Sequence, residues 1–168
     1  MQYVAENGLF SGVSDNLFAP QADMSRAMIV SVLHRLAGSP VAVGGAAYAD
    51  TAAGLWYSDA VRWADACGIV SGYGNGRFGP NDSVTREQLA VILWNYAQYM
   101  GYDVSARADL TAYADVQSVS GYALDAMAWA NAEGMITGRS GNLLAPRDTA
   151  SRAEVASIMH RFVENVVK

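Results

Sequence analysis

Three arginines occupy one repeated position in this chain, and each directly follows a hydroxyl residue. In every case twelve residues separate the hydroxyl residue from a preceding glycine. The repeated pairs are Ser25-Arg26, Thr85-Arg86 and Ser151-Arg152, and the glycines are Gly12, Gly72 and Gly138. A guanidinium beside the N-terminal amides of a helix suits a carboxylate, and glycine lets a ligand approach the backbone closely. The pattern predicts three equivalent sites for an anion.

The arginines need a partner, because a cation in the first turn of a helix opposes the helix dipole at a cost of about 0.3 kcal/mol or more. A salt bridge within the chain, to Asp50 or Asp115, would supply that partner without any ligand. Either carboxylate could instead cap the turn that follows it. The sequence leaves the ligand site and the internal salt bridge open as alternatives.

The hydroxyl residues have a structural reason of their own. Ser25, Thr85 and Ser151 are predicted N-caps, each worth about 1 kcal/mol. Thr85 with Gln88, and Ser151 with Glu154, also match the capping box, in which the later side chain reaches back to the cap. Repeat 1 keeps the cap but has no Glu or Gln at the returning position.

The chain repeats one helix-loop-helix unit three times, with periods of 60 and 66 residues. Apolar residues at i, i+3, i+4 and i+7 spacing predict first helices over 57–67 and 122–133, with Trp63 and Trp129 in the core. Second helices should start at Thr85 and Ser151. The predicted units are 1–40, 46–102 and 111–168, with short linkers near 38–45 and 101–108. Repeat 1 lacks the opening of the other two, so we expect a fragment that begins inside it.

Composition excludes several classes of protein. The chain has 168 residues, 52% hydrophobic and 16% charged, which suits a folded domain with a core. Its net charge of −5 argues against nucleic acid as a partner. No apolar run reaches the roughly 18 residues of a membrane span, and the first residues do not read as a signal peptide. Cys67 is the single cysteine, so no internal disulfide can form, and cysteine usage leaves the compartment open.

Other kinds of site fit the sequence less well. The loop over 74–82 lacks the ligand spacing of a calcium hand, and His34 and His160 have no cysteine or carboxylate cluster that would complete a zinc site. Asp82 and Asp148 could form a glycosidase pair, but they are equivalent turn positions of separate repeats. We therefore expect no metal, no cofactor, no catalytic residue and no enzymatic activity.

Taken in order, these residues resemble the S-layer homology (SLH) domain family. Its pattern is an aromatic-x-Asp opening, a Trp, a helix ending at Gly-Ile, a Gly-Tyr loop with Phe and Pro, and a Thr-Arg-Ala-Glu helix start. Repeat 2 carries Tyr48-Ala49-Asp50, Trp56, Gly68-Ile69, Gly72-Tyr73, Phe78, Pro80 and Thr85-Arg86-Glu87-Gln88. Repeat 3 carries Tyr113-Ala114-Asp115, Tyr122 at the Trp position, Gly138, Pro146 and Ser151-Arg152-Ala153-Glu154, and repeat 1 carries Gly8-Leu9, Gly12, Phe18, Pro20 and Ser25-Arg26-Ala27.

The resemblance implies an all-α fold of three pseudo-threefold-related helix-loop-helix SLH repeats, packed as one body with grooves between neighbours. It implies non-covalent anchoring of a larger exported protein to the bacterial cell wall or S-layer, through a secondary cell wall polysaccharide that often carries a pyruvate ketal. By position, Arg26, Arg86 and Arg152 would meet the pyruvyl carboxylate, and the glycines and hydroxyl residues would line the grooves. Trp56 and Tyr122 would pack a groove wall or a sugar face, with Asp50 and Asp115 in the same sites.

Departures from the family pattern predict that the grooves are not equivalent. Repeat 1 lacks the Asp and the Trp, and Val13 and Arg139 stand where repeat 2 has Tyr73. The alternative function is therefore a structural or assembly module that packs against a partner protein and has lost glycan binding. A second copy could cover apolar surface left by the incomplete repeat, so a homo-oligomer is a further expectation.

Overall fold

The computed structural model describes residues 19–167, and the regular structure in that range is helical. Isolated β-bridges occur there, but no strand does. The helices are α1 (Arg26–Leu36), α2 (Ser58–Ala66), α3 (Arg86–Tyr99), α4 (Leu124–Ala132) and α5 (Arg152–Phe162). Short 3-10 turns cover Val116–Ser118 and Gly121–Ala123, and Val163–Val167 continues α5 as a π turn. The all-α class predicted from the sequence is confirmed.

The observed helices follow the predicted ones with one difference. Helix α2 lies inside the predicted range 57–67, and α3 and α5 begin directly after Thr85 and Ser151. The predicted helix over 122–133 is shorter, because Ala123 provides no side-chain cap and the chain enters α4 through a tighter 3-10 turn. The part of repeat 1 before Ala19, which includes Gly12, lies outside the described residues. The boundaries of the three units stay a prediction.

The three hydroxyl residues are N-caps, as predicted. The side chains of Ser25, Thr85 and Ser151 each accept a hydrogen bond from the amide three residues later, at 3.2 to 3.3 Å. Repeat 2 completes its capping box, because the Thr85 amide donates to Gln88 Oε1 at 3.1 Å. In repeat 3 the Glu154 carboxylate bonds to arginines instead, so the predicted box is only half formed there.

A ring of backbone hydrogen bonds ties the three repeats together. The residue before each N-cap donates to its counterpart in another repeat. Met24 donates to the Ala150 carbonyl at 2.9 Å, Ala150 to Val84 at 3.0 Å, and Val84 back to Met24 at 2.8 Å. Each of these residues is therefore both donor and acceptor, and the ring closes on itself.

A second cyclic set of bonds joins each helix start to a loop of another repeat. The first amides of α1, α3 and α5 donate to the carbonyls of Asp82, Asp148 and Ala22, at 2.8 to 2.9 Å. The next amide of each helix donates to Pro80, Pro146 and Pro20 respectively, each at 2.9 Å. The recurring proline of each loop thus supplies an acceptor to a helix of another repeat, a contact for which its missing N–H is not needed. These cyclic bonds support the pseudo-threefold arrangement of the repeats. For the three complete repeats that arrangement remains a prediction.

One hydrophobic cluster spans all three repeats, and aromatic rings form its centre. The Phe162 ring at the end of α5 lies 5.9 Å from Tyr96 of α3 and 6.5 Å from Trp129 of α4. Tyr96 in turn lies 6.4 Å from Trp63 of α2. Both tryptophans are buried, which confirms their prediction as core residues.

Replacing Phe162 with alanine tests whether the repeats share this core. We expect the free energy of unfolding to fall by about 3–5 kcal/mol, because a fully buried ring leaves a cavity between α3, α4 and α5. Urea denaturation followed by circular dichroism and by tryptophan fluorescence measures the change. The control Val43→Ala, at an exposed side chain, should stay within about 0.5 kcal/mol of wild type. Separate transitions for the two probes would contradict a shared core.

Candidate functional site

Arg26 leaves the start of α1 and reaches into the loop of repeat 2. Its Nε donates to the Phe78 carbonyl at 3.0 Å, and its Nη2 donates to the Ser71 carbonyl at 2.9 Å. The guanidinium carbon lies 4.9 Å from the centre of the Tyr73 ring and 4.6 Å from that of Phe78. The residue is only 7% exposed. These contacts hold the guanidinium rigidly and leave Nη1 without a bond to any described residue.

Arg86 makes the same contacts one repeat further along. Its Nε donates to the Leu144 carbonyl and its Nη2 to the Thr137 carbonyl, each at 2.8 Å. Here Nη1 also has a partner, the Glu154 carboxylate, with which it forms an ion pair. Burial lowers the pKa of the Arg86 guanidinium, and the negative charge of Glu154 opposes that effect.

Arg152 is also buried, and its Nη1 lies 3.6 Å from Met28 Sδ. Burial lowers the pKa of this guanidinium. The predicted third site includes Gly12, which lies outside the described residues.

The alternative of an internal salt bridge holds for Arg86, but its partner is Glu154 and not Asp50 or Asp115. Asp50 accepts the amides of Phe78 and Gly79, each at 2.9 Å. Asp115 accepts the equivalent amides of Leu144 and Ala145, at 2.8 and 2.7 Å. The two carboxylates therefore hold the loops whose carbonyls receive the arginines, and not the turns directly after them as the sequence suggested. Although burial alone would raise it, these amide bonds lower the pKa of Asp50 below its usual value.

The predicted use of the helix N-terminal amides for a ligand is also wrong. The first two amides of α1, α3 and α5 donate to carbonyls of another repeat, and the third donates to the N-cap hydroxyl. An anion at these helix starts would find no free amide. The guanidinium alone is left to receive it.

Two of the repeated glycines, Gly72 and Gly138, are explained by tyrosines of their own repeat. A side chain at Gly72 would collide with the Tyr48 ring and lie 2.7 Å from the Arg77 carbonyl oxygen, and one at Gly138 would lie 2.6 Å from the Tyr113 ring. The Gly72 amide also donates to the Tyr48 hydroxyl at 2.8 Å. The close approach predicted for a ligand is thus made by an internal ring, although both glycines still line cavities.

The Arg26 groove is a cavity of about 500 Å³ built from all three repeats. Arg26 comes from repeat 1, Gly72 and Tyr73 from the loop of repeat 2, and Tyr122 from repeat 3. The remaining wall is formed by the end of α2, the loop after it and one face of α3. Its residues are Asp65, Gly68, Ile69, Val70, Ser71, Gln88, Val91, Ile92 and Asn95. Sequence reasoning missed the α3 face, although its i, i+3, i+4, i+7 spacing from Gln88 marks one side of a helix.

The Arg86 groove is the equivalent cavity between repeats 2 and 3, and it measures about 220 Å³. Its lining is Arg86, Met135, Thr137, Gly138, Arg139, Glu154, Ser157, Ile158 and Arg161. Arg139 stands where the other groove has Tyr73, and Glu154 where it has Gln88. Arg139 pairs with Asp148 at 2.6 Å and with Glu154 at 2.9 Å. The prediction that the grooves differ is therefore supported by their charges and their size.

The two predicted aromatic wall residues are both exposed, at 62% each, but their positions differ. Tyr122 lines the Arg26 groove, and its hydroxyl lies 3.4 Å from the buried Glu87 carboxylate. Burial, followed by the charge of Glu87, raises the pKa of this tyrosine. Trp56 lines neither groove and packs its ring edge-on against Tyr57 at 5.0 Å.

Over residues 19–167, no three His, Cys, Asp or Glu side chains are grouped closely enough to hold a metal ion. Asp82 accepts the Tyr73 hydroxyl and Asp148 pairs with Arg139, so these aspartates fix loops. The arrangement can hold an anionic group against a guanidinium beside an aromatic wall.

Comparison with protein-family models gives a match to the S-layer homology domain over residues 1–27, 47–90 and 112–156. The three segments together cover more than half of the chain. The chain belongs to the S-layer homology domain family. SLH domains are non-catalytic anchoring modules, so the segment is a cell-surface anchoring module of the bacterial cell wall or S-layer. Among the described helices, none has both the length and the apolar character to cross a membrane.

Known proteins similar to this SLH chain are much longer than it is. An amylopullulanase of Thermoanaerobacterium thermosulfurigenes is 28% identical over 98% of this chain and 9% of its own length. A surface-layer 125 kDa protein of Lysinibacillus sphaericus is 28% identical over 99% of this chain and 14% of its own length. A cellulosome-anchoring protein of Acetivibrio thermocellus is 22% identical over 91% of this chain and 35% of its own length. The chain thus spans about a tenth to a third of these relatives.

Asp50→Asn tests the loop clamp and its pH dependence. The amide NH2 would face a backbone donor, so we expect a loss of about 1–2 kcal/mol in unfolding free energy at neutral pH. Since the pKa of Asp50 is lowered on folding, its contribution is complete above the unfolded pKa of about 3.9 and is lost as pH falls through the folded value.

Urea midpoints of wild type and Asp50→Asn, measured from neutral pH into strong acid, provide the check. The gap between the two proteins should narrow as the medium becomes more acidic than the unfolded pKa. Asp23→Asn, at an exposed carboxylate, is the matched control and should show no such gap. A gap that stayed constant over the whole range would contradict the clamp.

Gly138→Ala tests the packing of Tyr113 against the loop. The new methyl group would meet the Tyr113 ring inside normal contact distance, so we expect destabilisation of about 1–3 kcal/mol, measured by thermal unfolding. Gly121→Ala is the control, because a side chain there meets no atom within 4 Å. Equal melting temperatures for the two variants would show that the ring moves aside freely.

Proposed function

We propose that this SLH module anchors its parent exported protein by binding an anionic secondary cell wall polysaccharide, most simply a pyruvylated one, in grooves between repeats. The observation that carries the proposal is Arg26. It is a nearly buried cation held by two carbonyls and two aromatic rings, and no carboxylate among residues 19–167 forms an ion pair with it. A buried charge without a counter-ion is costly, and a ligand carboxylate would remove that cost.

The remaining walls of the Arg26 groove suit a sugar. The groove volume of about 500 Å³ falls within the range of about 300–1,000 Å³ typical of small-ligand sites. Tyr122 offers an exposed ring face from repeat 3, and aromatic faces pack well against the apolar side of a sugar ring. Asn95 and Asp65 add polar groups that can exchange hydrogen bonds with hydroxyls.

A ketal-linked pyruvate is the anion that this geometry favours. Its carboxylate is small and planar and protrudes from the sugar, so it can reach the remaining Nη1 edge of Arg26 while the sugar stays against Tyr122. A charge-assisted hydrogen bond of this kind contributes about 1.5–3 kcal/mol. The carboxylate should therefore account for about 10- to 100-fold in affinity.

Titration calorimetry tests the proposal from the side of the ligand. We expect a pyruvylated N-acetylmannosamine disaccharide to bind the wild-type protein, and the same disaccharide without the ketal to bind about 10- to 100-fold more weakly. This comparison needs no change in the protein. Arg26→Ala should lose a similar factor for the pyruvylated sugar and little for the other, while Arg35→Ala, on the same helix and outside the groove, serves as the control.

Failure to bind either sugar, in a protein that is folded by circular dichroism, would contradict the glycan proposal. The alternative assembly module would then be favoured if sedimentation velocity showed self-association that Arg26→Ala left unchanged. Retention of full affinity by Arg26→Ala would contradict the role given to this residue.

A further inference from the structure

Glu87 is the second residue of α3, and its carboxylate is buried in the contact between repeats 2 and 3. The residue is only 5% exposed. Its Oε2 accepts the Ser120 amide at 2.9 Å, and its Oε1 accepts the Ser120 hydroxyl at 2.8 Å. A buried carboxylate is costly unless donors satisfy it, and here both donors come from the residue before the 3-10 turn that leads into α4. Glu87 therefore ties the start of α3 to that turn.

Tyr122 lies two residues after this tie, and its hydroxyl faces the same carboxylate. The hydroxyl donates to Glu87 Oε1 at the longer distance of 3.4 Å. The tyrosine is 62% exposed, yet it lines the Arg26 groove. Glu87 thus fixes the backbone just before the ring and contacts the far end of the ring, which limits the positions that the ring can take.

Glu87 and Ser120 are both particular to this contact between repeats. Ala27 and Ala153 stand at the position of Glu87 in the other two repeats. Gly54 stands at the position of Ser120 in repeat 2. Helices α1 and α5 begin after a serine N-cap without a carboxylate at this position. The start of the second helix therefore does not require Glu87, and another reason for it is needed.

The turn before α2 is held from within its own repeat. Ser58 Oγ accepts the Leu55 amide at 3.0 Å and donates to the Ala52 carbonyl at 2.6 Å. In repeat 3 the position of Ser58 is Leu124, which has no hydroxyl. The carboxylate from α3 thus does for the turn of repeat 3 what a hydroxyl on the same helix does for the turn of repeat 2.

We propose that Glu87 is a positioning residue for sugar binding, which fixes Tyr122 as the aromatic wall of the Arg26 groove. The inference rests on the proposed function. Immobilising a free side chain on binding weakens affinity by about 2- to 10-fold, and a ring that is already in place avoids that loss. Glu87 itself does not line the groove, so its effect reaches the sugar through the ring.

Replacing Glu87 with alanine and with glutamine separates positioning from charge. Glu87→Ala introduces the residue that repeats 1 and 3 already have, so the protein should stay folded. In titration calorimetry this variant should bind the pyruvylated N-acetylmannosamine disaccharide and its ketal-free form about 2- to 10-fold more weakly. Loss of a negative charge alone would instead strengthen binding of the anionic sugar. Glu87→Gln should bind within about 2-fold of wild type, because its Oε1 can still accept the Ser120 amide.

A double-substitution cycle tests whether Glu87 acts through the ring. Tyr122→Ala should weaken binding of both sugars about 10-fold, since it removes the wall itself. Adding Glu87→Ala to Tyr122→Ala should then change either affinity by less than about 2-fold. The control is Glu164→Ala, which removes a carboxylate at an exposed side chain outside both grooves and should leave both affinities unchanged. Ser120→Ala removes one of the two bonds from the other side and should weaken both sugars in the same direction, so it replaces Glu87→Ala if that variant does not fold.

The inference and the proposed function fail in different ways. If the folded Glu87→Ala variant binds both sugars as tightly as wild type, or binds the pyruvylated one more tightly, the positioning role is overturned and glycan binding stands. Full additivity of Glu87→Ala and Tyr122→Ala also overturns it, because Glu87 would then act elsewhere. If wild-type protein binds neither sugar, the proposed function falls and the inference falls with it.

Discussion

The amides at the starts of the second helices donate to loops of a neighbouring repeat, and the rest of the structure depends on this exchange. In most helices these groups are satisfied by a cap and by water. Here the cap takes one amide, and carbonyls from another repeat take the two before it. Each loop is thereby fixed against a helix start, and Arg26 and Arg86 are aimed into the loops that their own helix starts contact. The grooves are the space left beside these contacts.

This arrangement uses the two edges of the Arg26 and Arg86 guanidinium groups differently. The Nε and Nη2 edge of Arg26 binds carbonyls of the loop, which satisfies buried acceptors and locks the side chain. The Nη1 edge remains for a partner of negative charge. In the Arg86 groove that partner belongs to the chain itself. The bonds to loop carbonyls are therefore common to both arginines, whereas among the described residues only Arg86 has a carboxylate partner at Nη1.

Much of the fold could be predicted from the sequence, because its signals are local. The N-caps, the starts of α3 and α5 and the buried tryptophans follow from hydroxyl residues and helical spacing within one repeat. The contacts of Asp50 and Gly72 could not be predicted, since they depend on which backbone and which ring return to these residues from about 24 to 29 positions away. The candidate site could be predicted less well than the fold. One reason is that the walls of the Arg26 groove come from three repeats. The other is that Gln88 and Glu154 both match the capping box in the sequence, so their different contacts could not be foreseen.

The backbone ring has a topological consequence. Met24, Val84 and Ala150 each give and receive one bond, so nothing in the ring marks a first or a last member. Only the connecting segments, near 38–45 and 101–108, set the order in which the three residues follow one another along the chain. A circular permutation that cut one of these segments would break no bond of the ring. It would also leave the linings of the Arg26 and Arg86 grooves uncut, since none of their residues lies in either segment.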